Sequence, residues 1–251
     1  MKQLLGYTLA TGFALVVAAS ACVENKGTLF VQGVMLPPVA MAGAACIYDP
    51  QPTSTLLLYQ GRLDIAFTNT YVPVLLMANE MFARGSKEQV RIDSGKIQLQ
   101  GATVRLTDAG GAQLASFTAL GGGFVESATG TSPGYGVFAI TVIDPDTVEN
   151  LLRPSPQLQA RYGSKRVIAY IKPYGQTLGG LHVEAGEFLW PIEVCNGCLV
   201  SFPVDAQDPL LPTPNCLNVG SGSSNVARPC FVGQDQAVDC RLCPNNAICT
   251  P

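Results

Sequence analysis

One histidine, His182, and one tryptophan, Trp190, serve the whole chain of 251 residues. A single imidazole excludes every metal site built on several histidines. A Ser–His–Asp triad would have to use His182, and no G-x-S-x-G elbow accompanies it. Its setting, L-G-G-L-H-V-E, reads as a strand residue near a turn. Charge is also scarce: Asp, Glu, Lys and Arg make up 13% of the residues, and the net charge is −3. No basic patch stands out, so nucleic acid is not an expected partner. Glycine (26) and proline (18) are plentiful instead, which suits a β-rich exported protein and disfavours a helical one.

Long apolar runs are absent apart from the first. Met1-Lys2 is a short basic start, Leu4 to Ala19 is apolar apart from Thr8 and Thr11, and Ala19-Ser20-Ala21 supplies the small residues of a cleavage site. This is the three-part design of an export signal over 1–21. At about 16 residues the run is shorter than the roughly 20 that span a bilayer. Cys22 follows directly. A-S-A-C resembles the lipobox of bacterial lipoproteins, departing from it at Ala19, where Leu is commoner. The resemblance implies cleavage before Cys22 and acylation of it, with residues 22–27 as the anchor linker. Several acyl chains on one residue anchor stably where one is marginal. Val23 rather than Asp at the next position implies the outer membrane by the sorting habit of such lipoproteins, and outer-membrane lipid as the first partner.

The chain holds nine cysteines. Setting Cys22 aside leaves Cys46, Cys195, Cys198, Cys216, Cys230, Cys240, Cys243 and Cys249. An even number in an exported chain reads as a disulfide framework. Eight cysteines allow 105 connectivities, and sequence alone does not choose among them. Cys46 lies far before the rest, and only a bond back to it completes the even count. It is expected to tie the first strands to the C-terminal cluster.

From Thr28 to Val194 the dominant signal is period-two alternation. Leu63, Ile65 and Phe67 share one face, as do Val72, Val74, Leu76 and Ala78, and again Phe188, Trp190, Ile192 and Val194. Such alternation marks strands with one buried face. Pro73 suggests an edge strand or a strand start. In I-Q-L-Q-G-A-T-V-R-L the phase switches at Gly101, which one extra residue, a β-bulge, would restore; a break into two strands is the alternative. D-A-G-G (Asp108 to Gly111) suits a hairpin. Gly121-Gly122-Gly123 lacks the Lys-Ser/Thr of a phosphate loop and reads as a flexible turn. D-P-D-T-V-E-N-L-L is the one helix pattern, with Asp144 as cap and Pro145 in the first turn. About nine to eleven strands are expected before Cys195. The fold class is all-β: a β-sandwich, immunoglobulin-like in the loose sense, over 28–200, with closure into a barrel as the alternative. Residues 201–251 hold five Cys and seven Pro but no Lys or Glu, and read as a disulfide-stapled tail.

The spacing C-N-G-C (Cys195, Cys198) and C-R-L-C (Cys240, Cys243) also fits zinc or redox chemistry. Ribbon-type zinc sites prefer roughly 15–20 residues between pairs, and Cys198 and Cys240 lie much further apart. Thiols outside the cytoplasm tend to be oxidised, whereas zinc needs thiolates. A redox CxxC opens a helix that lowers the thiol pKa, but Cys195 ends a strand. Structural disulfides are therefore expected, with no metal, no cofactor and no catalytic residue. Asp144 with Asp146, Asp205 with Asp208 and Asp235 with Asp239 offer oxygens to calcium, though none matches an EF-hand and Asp with Pro is ordinary turn chemistry.

The run of A-S-A-C, N-K-G-T-L-F-V-Q-G-V, I-Q-L-Q-G-A-T-V-R-L-T-D, W-P-I-E-V-C-N-G-C-L-V-S-F-P and P-C-F-V-G-Q-D-Q-A-V-D-C-R-L-C resembles a family of lipoproteins of unassigned activity from myxobacteria and related bacteria. That likeness implies an envelope location and transfers no catalytic residue. The expectation is a non-enzymatic, lipid-anchored outer-membrane protein, periplasmic or surface-facing, that is a structural or binding subunit with an envelope protein partner. A glycan- or peptide-binding module would need an exposed aromatic groove. An exported enzyme or CxxC redox protein would need clustered carboxylates or a reactive thiol in a cleft.

Overall fold

The computed structural model describes residues 27–38, 45–83, 93–202, 216, 228–245 and 247–249. The signal, Cys22, Asp205, Asp208 and the S-G-S-S-N stretch lie outside them. The strands are β1 (Leu29–Met35), β2 (Leu57–Leu58), β3 (Gly61–Asp64), β4 (Val74–Asn79), β5 (Ile97–Asp108), β6 (Gln113–Val125), β7 (Gly134–Ala139), β8 (Ser164–Thr177), β9 (His182–Glu184), β10 (Phe188–Cys195), β11 (Val200–Ser201) and β12 (Val238–Asp239). A smaller sheet runs β2-β1-β4-β7 and a larger one β3-β10-β8-β5-β6, with β9 added to β8. Their inner faces meet in one core, which includes Leu29, Leu75 and Met77 from the first sheet and Leu99, Val104, Ile171 and Ile192 from the second. The protein is an all-β sandwich. On one side the sheets approach closure, where Glu126 N–H donates to Tyr135 O at 3.3 Å between the ends of β6 and β7.

The long strands follow the alternation read above. Ile97, Leu99, Ala102, Val104 and Leu106 are all buried on one unbroken strand. The phase change is absorbed by a register shift between Leu99 and Gly101 against both neighbours. A single extra residue thus re-aims the rest of β5, as a bulge does. The β5–β6 hairpin is closed by Asp108, whose Oδ1 accepts from the N–H of Gly110 and of Ala112, each at 2.9 Å. Asp144 caps the helical turn Pro145–Thr147 through Thr147 N–H at 2.7 Å. A π-helical turn, Val148–Leu152, continues it.

Two local expectations need correction, and a choice between alternatives is settled at Pro73. Gly121-Gly122-Gly123 is not a turn but the interior of β6. A Cβ on Gly121 would lie 2.8 and 2.9 Å from the side chains of Ile140 and Phe138, and one on Gly123 would lie 2.8 Å from Val137 O. The glycines let β6 approach its neighbour. Of the two places expected for Pro73, the strand start holds, directly before β4, and the edge strand does not, because β4 is central, between β1 and β7. The strand through Leu63 ends at Asp64, because Phe67 and Thr68 N–H turn back onto Asp64 O.

All six residues of β4 are buried, on both faces. The outer face, Val74 and Leu76, packs with Tyr48 and Phe231. These two side chains belong to segments joined by the Cys46–Cys230 disulfide, which spans 184 residues of sequence. Tyr48 and Phe231 therefore form a layer over β4, while further along the C-terminal region β12 pairs in parallel with β11.

Candidate functional site

The C-N-G-C turn is built around a carboxylate. Cys195 ends β10, which pairs in parallel with β3, placing Asp64 beside Cys195. The side chain of Asp64 is buried. Its Oδ1 accepts from Gly197 N–H at 2.7 Å and Ala66 N–H at 3.1 Å, and its Oδ2 from Leu199 N–H at 2.9 Å. Gly197 has φ +89°, and a Cβ there would meet Ile248 at 2.5 Å. The turn is thus held from below by Asp64 and covered from above by the C-terminal 3-10 turn Ala247–Cys249.

The Sγ atoms of Cys195 and Cys198 and a carboxylate oxygen of Asp64 lie within 4.8 Å of one another. In position alone they resemble a three-ligand metal site. Their bonding is already committed, however. The two sulfurs are joined to each other, and both Asp64 oxygens accept backbone N–H groups. The arrangement serves to lock the end of β10 to β3. The second CxxC does not close on itself: Cys240 is bonded to Cys216, and Cys243 to Cys249.

A second buried polar cluster lies where the C-terminal segment enters the sandwich. Asp235 takes a left-handed conformation, φ +58°, which Asp tolerates better than most residues. Its N–H donates to Arg62 O at 3.0 Å, and its Oδ1 accepts from Arg62 N–H at 2.7 Å. Tyr71 Oη, fully buried, donates to the Asp235 carboxylate at 3.2 Å and accepts from Trp190 Nε1 at 3.1 Å. Gln234 pairs with the Val72 peptide in both directions, at 2.7 and 2.8 Å. Burial pushes the Asp235 carboxyl up to about 6, against the pull of its donors at Arg62 and Tyr71. Burial, then the charge of Asp235, pushes the Tyr48 hydroxyl up to about 12.

The other predicted ligands are scattered. Asp144 is spent on its cap. Asp239 is bound to Arg241 at 2.6 Å; burial opposes its ionisation, yet the Arg241 hydrogen bonds and charge hold its pKa below the ordinary value. Asp235 and Asp239 serve different partners and form no shared site. His182 is exposed, with its Nε2 3.6 Å from Glu184. Glu184 is lowered first by its hydrogen bond from Lys172. Trp190 packs beside Phe188 in the core with ring centroids 6.0 Å apart.

A cleft of about 480 Å³ lies at the end of the sandwich where β1 begins, lined by Thr28, Met81, Phe82, Thr177 and Leu181 among others. A smaller cleft shares Glu80 and Phe82 with it. No sequence signal pointed to this end, because its residues come from the ends of several strands. Asp64 was hidden for a related reason: it stands opposite Leu63 and Ile65 in the alternation and reads as solvent-facing.

No family model matches the chain, and no curated protein matches it. Among solved structures it is similar to the solution structure of a protein assigned as late embryogenesis abundant (LEA), at 10% identity and a TM-score of 0.32, covering 67% of this chain and 71% of that one. No helix among the described residues is long and apolar enough to cross a membrane.

Proposed function

We propose that the protein is a non-enzymatic, lipid-anchored component of the outer membrane, acting as a structural or binding subunit of an envelope assembly. One observation carries this reading. The chain has nine cysteines, and eight of them form four disulfides, Cys46–Cys230, Cys195–Cys198, Cys216–Cys240 and Cys243–Cys249. The one thiol left over is Cys22, which directly follows A-S-A. A framework of this density belongs to an oxidising compartment, and the acyl chains of a lipobox cysteine give stable anchorage there. The buried polar groups of the two clusters act between elements of the fold, which suits a rigid scaffold.

The test is the intact mass of the protein extracted from its native membrane. The expected mass is that of a chain beginning at Cys22 with acyl groups attached and no free thiols. A soluble chain with an unmodified Cys22 would sink the proposal, as would a Cys22→Ser variant that stays in the membrane fraction.

A further inference from the structure

We propose that the end of the sandwich carrying Thr28 is a membrane-docking face, whose exposed Phe82, Leu178 and Leu181 enter the bilayer interface. This inference rests on the anchoring reading above. It names the surface that the anchor presses against lipid.

Hydrogen bonds and strand register define this end. β1 begins at Leu29, which pairs with Asn79 at the close of β4. Asn79 Nδ2 donates to Gly95 O at 2.9 Å and to Glu126 O at 3.0 Å, tying the ends of both sheets together. Ile97, next to this junction, pairs with Val125 and with Thr177. Chain turns from both sheets therefore converge beside Thr28. Phe82 is 62% exposed, Leu181 50% and Leu178 42%. Phe82 and Leu181 form the rim of the same cleft as Thr28. Leu178 is fixed beside them by its N–H bond to Lys96 O. Isolated exposed apolar side chains are ordinary on a protein surface, whereas a group of them on one rim marks an interaction site.

The length of the anchor selects lipid as the occupant. Val23 to Gly27 are the only residues between Cys22 and Thr28. The six steps from Cys22 to Thr28, fully extended at roughly 3.3–3.6 Å each, reach at most about 22 Å. The Thr28 end is therefore confined close to the interface in which the acyl chains of Cys22 are set. The C-terminal end of β1 stands about 23 Å further away along a seven-residue strand. Confinement raises the effective concentration of the rim at the membrane, so a weak apolar contact becomes populated. Lys96 is paired with Glu126 at 2.5 Å, so that part of the rim meets lipid with its charge compensated. Apolar side chains at such a face bury roughly 5–10 Å into the headgroup and acyl boundary.

The test uses the acylated full-length mature chain in vesicles containing brominated phosphatidylcholine, which quenches tryptophan inside the bilayer. Leu181→Trp and Phe82→Trp report on the docking rim. Leu56→Trp, at a site 70% exposed whose carbonyl accepts from Leu36 N–H just past the far end of β1, reports on the opposite end. All three sites are exposed enough to accept the ring without disturbing the core. The native Trp190 is 3% exposed and adds the same background to each. Loss of emission at positions 181 and 82, with position 56 unaffected, is the expected result. Equal quenching at both ends, or none at 181 and 82, would overturn the docking face. So would a shift at 181 that needs no vesicles and grows with protein concentration, which would give the rim to a second copy of the chain. Mass measurement on the same sample separates the two proposals. If Cys22 carries no lipid, its thiol is coupled to a maleimide lipid, and the quenching pattern still decides the docking face after the anchoring reading has failed.

Discussion

Tyr71 Oη lies 3.2 Å from each carboxylate oxygen of Asp235, across 164 residues of sequence. The tyrosine stands inside the sandwich and the aspartate on the C-terminal segment, so this contact welds the stapled tail to the core. Tyr71→Phe removes a donor from a largely buried carboxylate and an acceptor from Trp190 Nε1. Hydrogen bonds to charged groups contribute about 1.5–3 kcal/mol, and a stranded buried partner adds its desolvation cost. A loss of about 2–3 kcal/mol in denaturant unfolding is expected, and an unchanged midpoint would show that the weld carries no load.

The same carboxylate makes stability depend on pH in an uncommon direction. Burial raises Asp235 from 3.8 to about 6 in the folded protein. The native state therefore binds more protons than the unfolded state between these values, and stability falls as pH rises through them. The contribution is complete below the unfolded value and lost above the folded one. At 1.36 kcal/mol per unit, the loss on going from about pH 4 to pH 7 is about 2–3 kcal/mol. Asp235→Asn should flatten this part of the profile. Glu184 and Asp239 have depressed values, so they weaken the fold at the acid end instead. Both remain in the variant, and the difference between the two profiles isolates Asp235. Parallel profiles would refute the assignment.

Much of the sandwich was legible because one face of each long strand is apolar, and period two is a local property. The bulge at Gly101 was legible for the same reason: a phase slip in the pattern has few physical causes. The second buried face of β4 was not, since what covers it, Tyr48 and Phe231, comes from distant segments. Gly121 and Gly123 were misread because a glycine that admits a neighbouring strand and one that opens a turn look alike in sequence. Asp235 was noticed only as an oxygen ligand paired with Asp239. Its actual partners, Arg62 and Tyr71, are brought to it by the fold.

The Cys46–Cys230 bond joins the two segments whose Tyr48 and Phe231 form the layer over β4. Chain-entropy reasoning gives about 5 kcal/mol for a loop this long. The double variant Cys46→Ser/Cys230→Ser should lose about 3–5 kcal/mol. It should also lose hydrogen-exchange protection at the Asp235 and Val238 amides before the strands of the large sheet open. Protection that remains level across all of these regions would mean that the layer is held by packing alone.

Asp64 makes its own prediction about the C-N-G-C turn. Asp64→Ala leaves the Ala66, Gly197 and Leu199 N–H groups without their acceptor. At about 1–3 kcal/mol for each unsatisfied buried donor, a loss of at least about 3 kcal/mol is expected. The Cys195–Cys198 bond should also become far more open to reduction by dithiothreitol, as the turn that shields it loosens. A variant equally resistant to reduction would show that Ile248 and the covering C-terminal turn protect the disulfide without Asp64.

The near-closure of β6 on β7 can be tested with two glycines on these strands. A Cβ on Gly136 would stand 2.1 Å from Phe124 O, a backbone atom of β6 that cannot swing aside. On β6 itself, Gly122 has nothing within 4 Å of a Cβ position. Gly136→Ala should therefore force the strands apart, break the Glu126 to Tyr135 hydrogen bond and cost about 1–3 kcal/mol, the range for overpacking in a well-packed region. Gly122→Ala meets open space and restricts the unfolded chain, so it should be neutral or add about 0.4–1 kcal/mol. Both exchanges add the same methyl group. A difference in sign between them can only arise from the approach of the two strands, and equal effects would mean that the sandwich is open along this side.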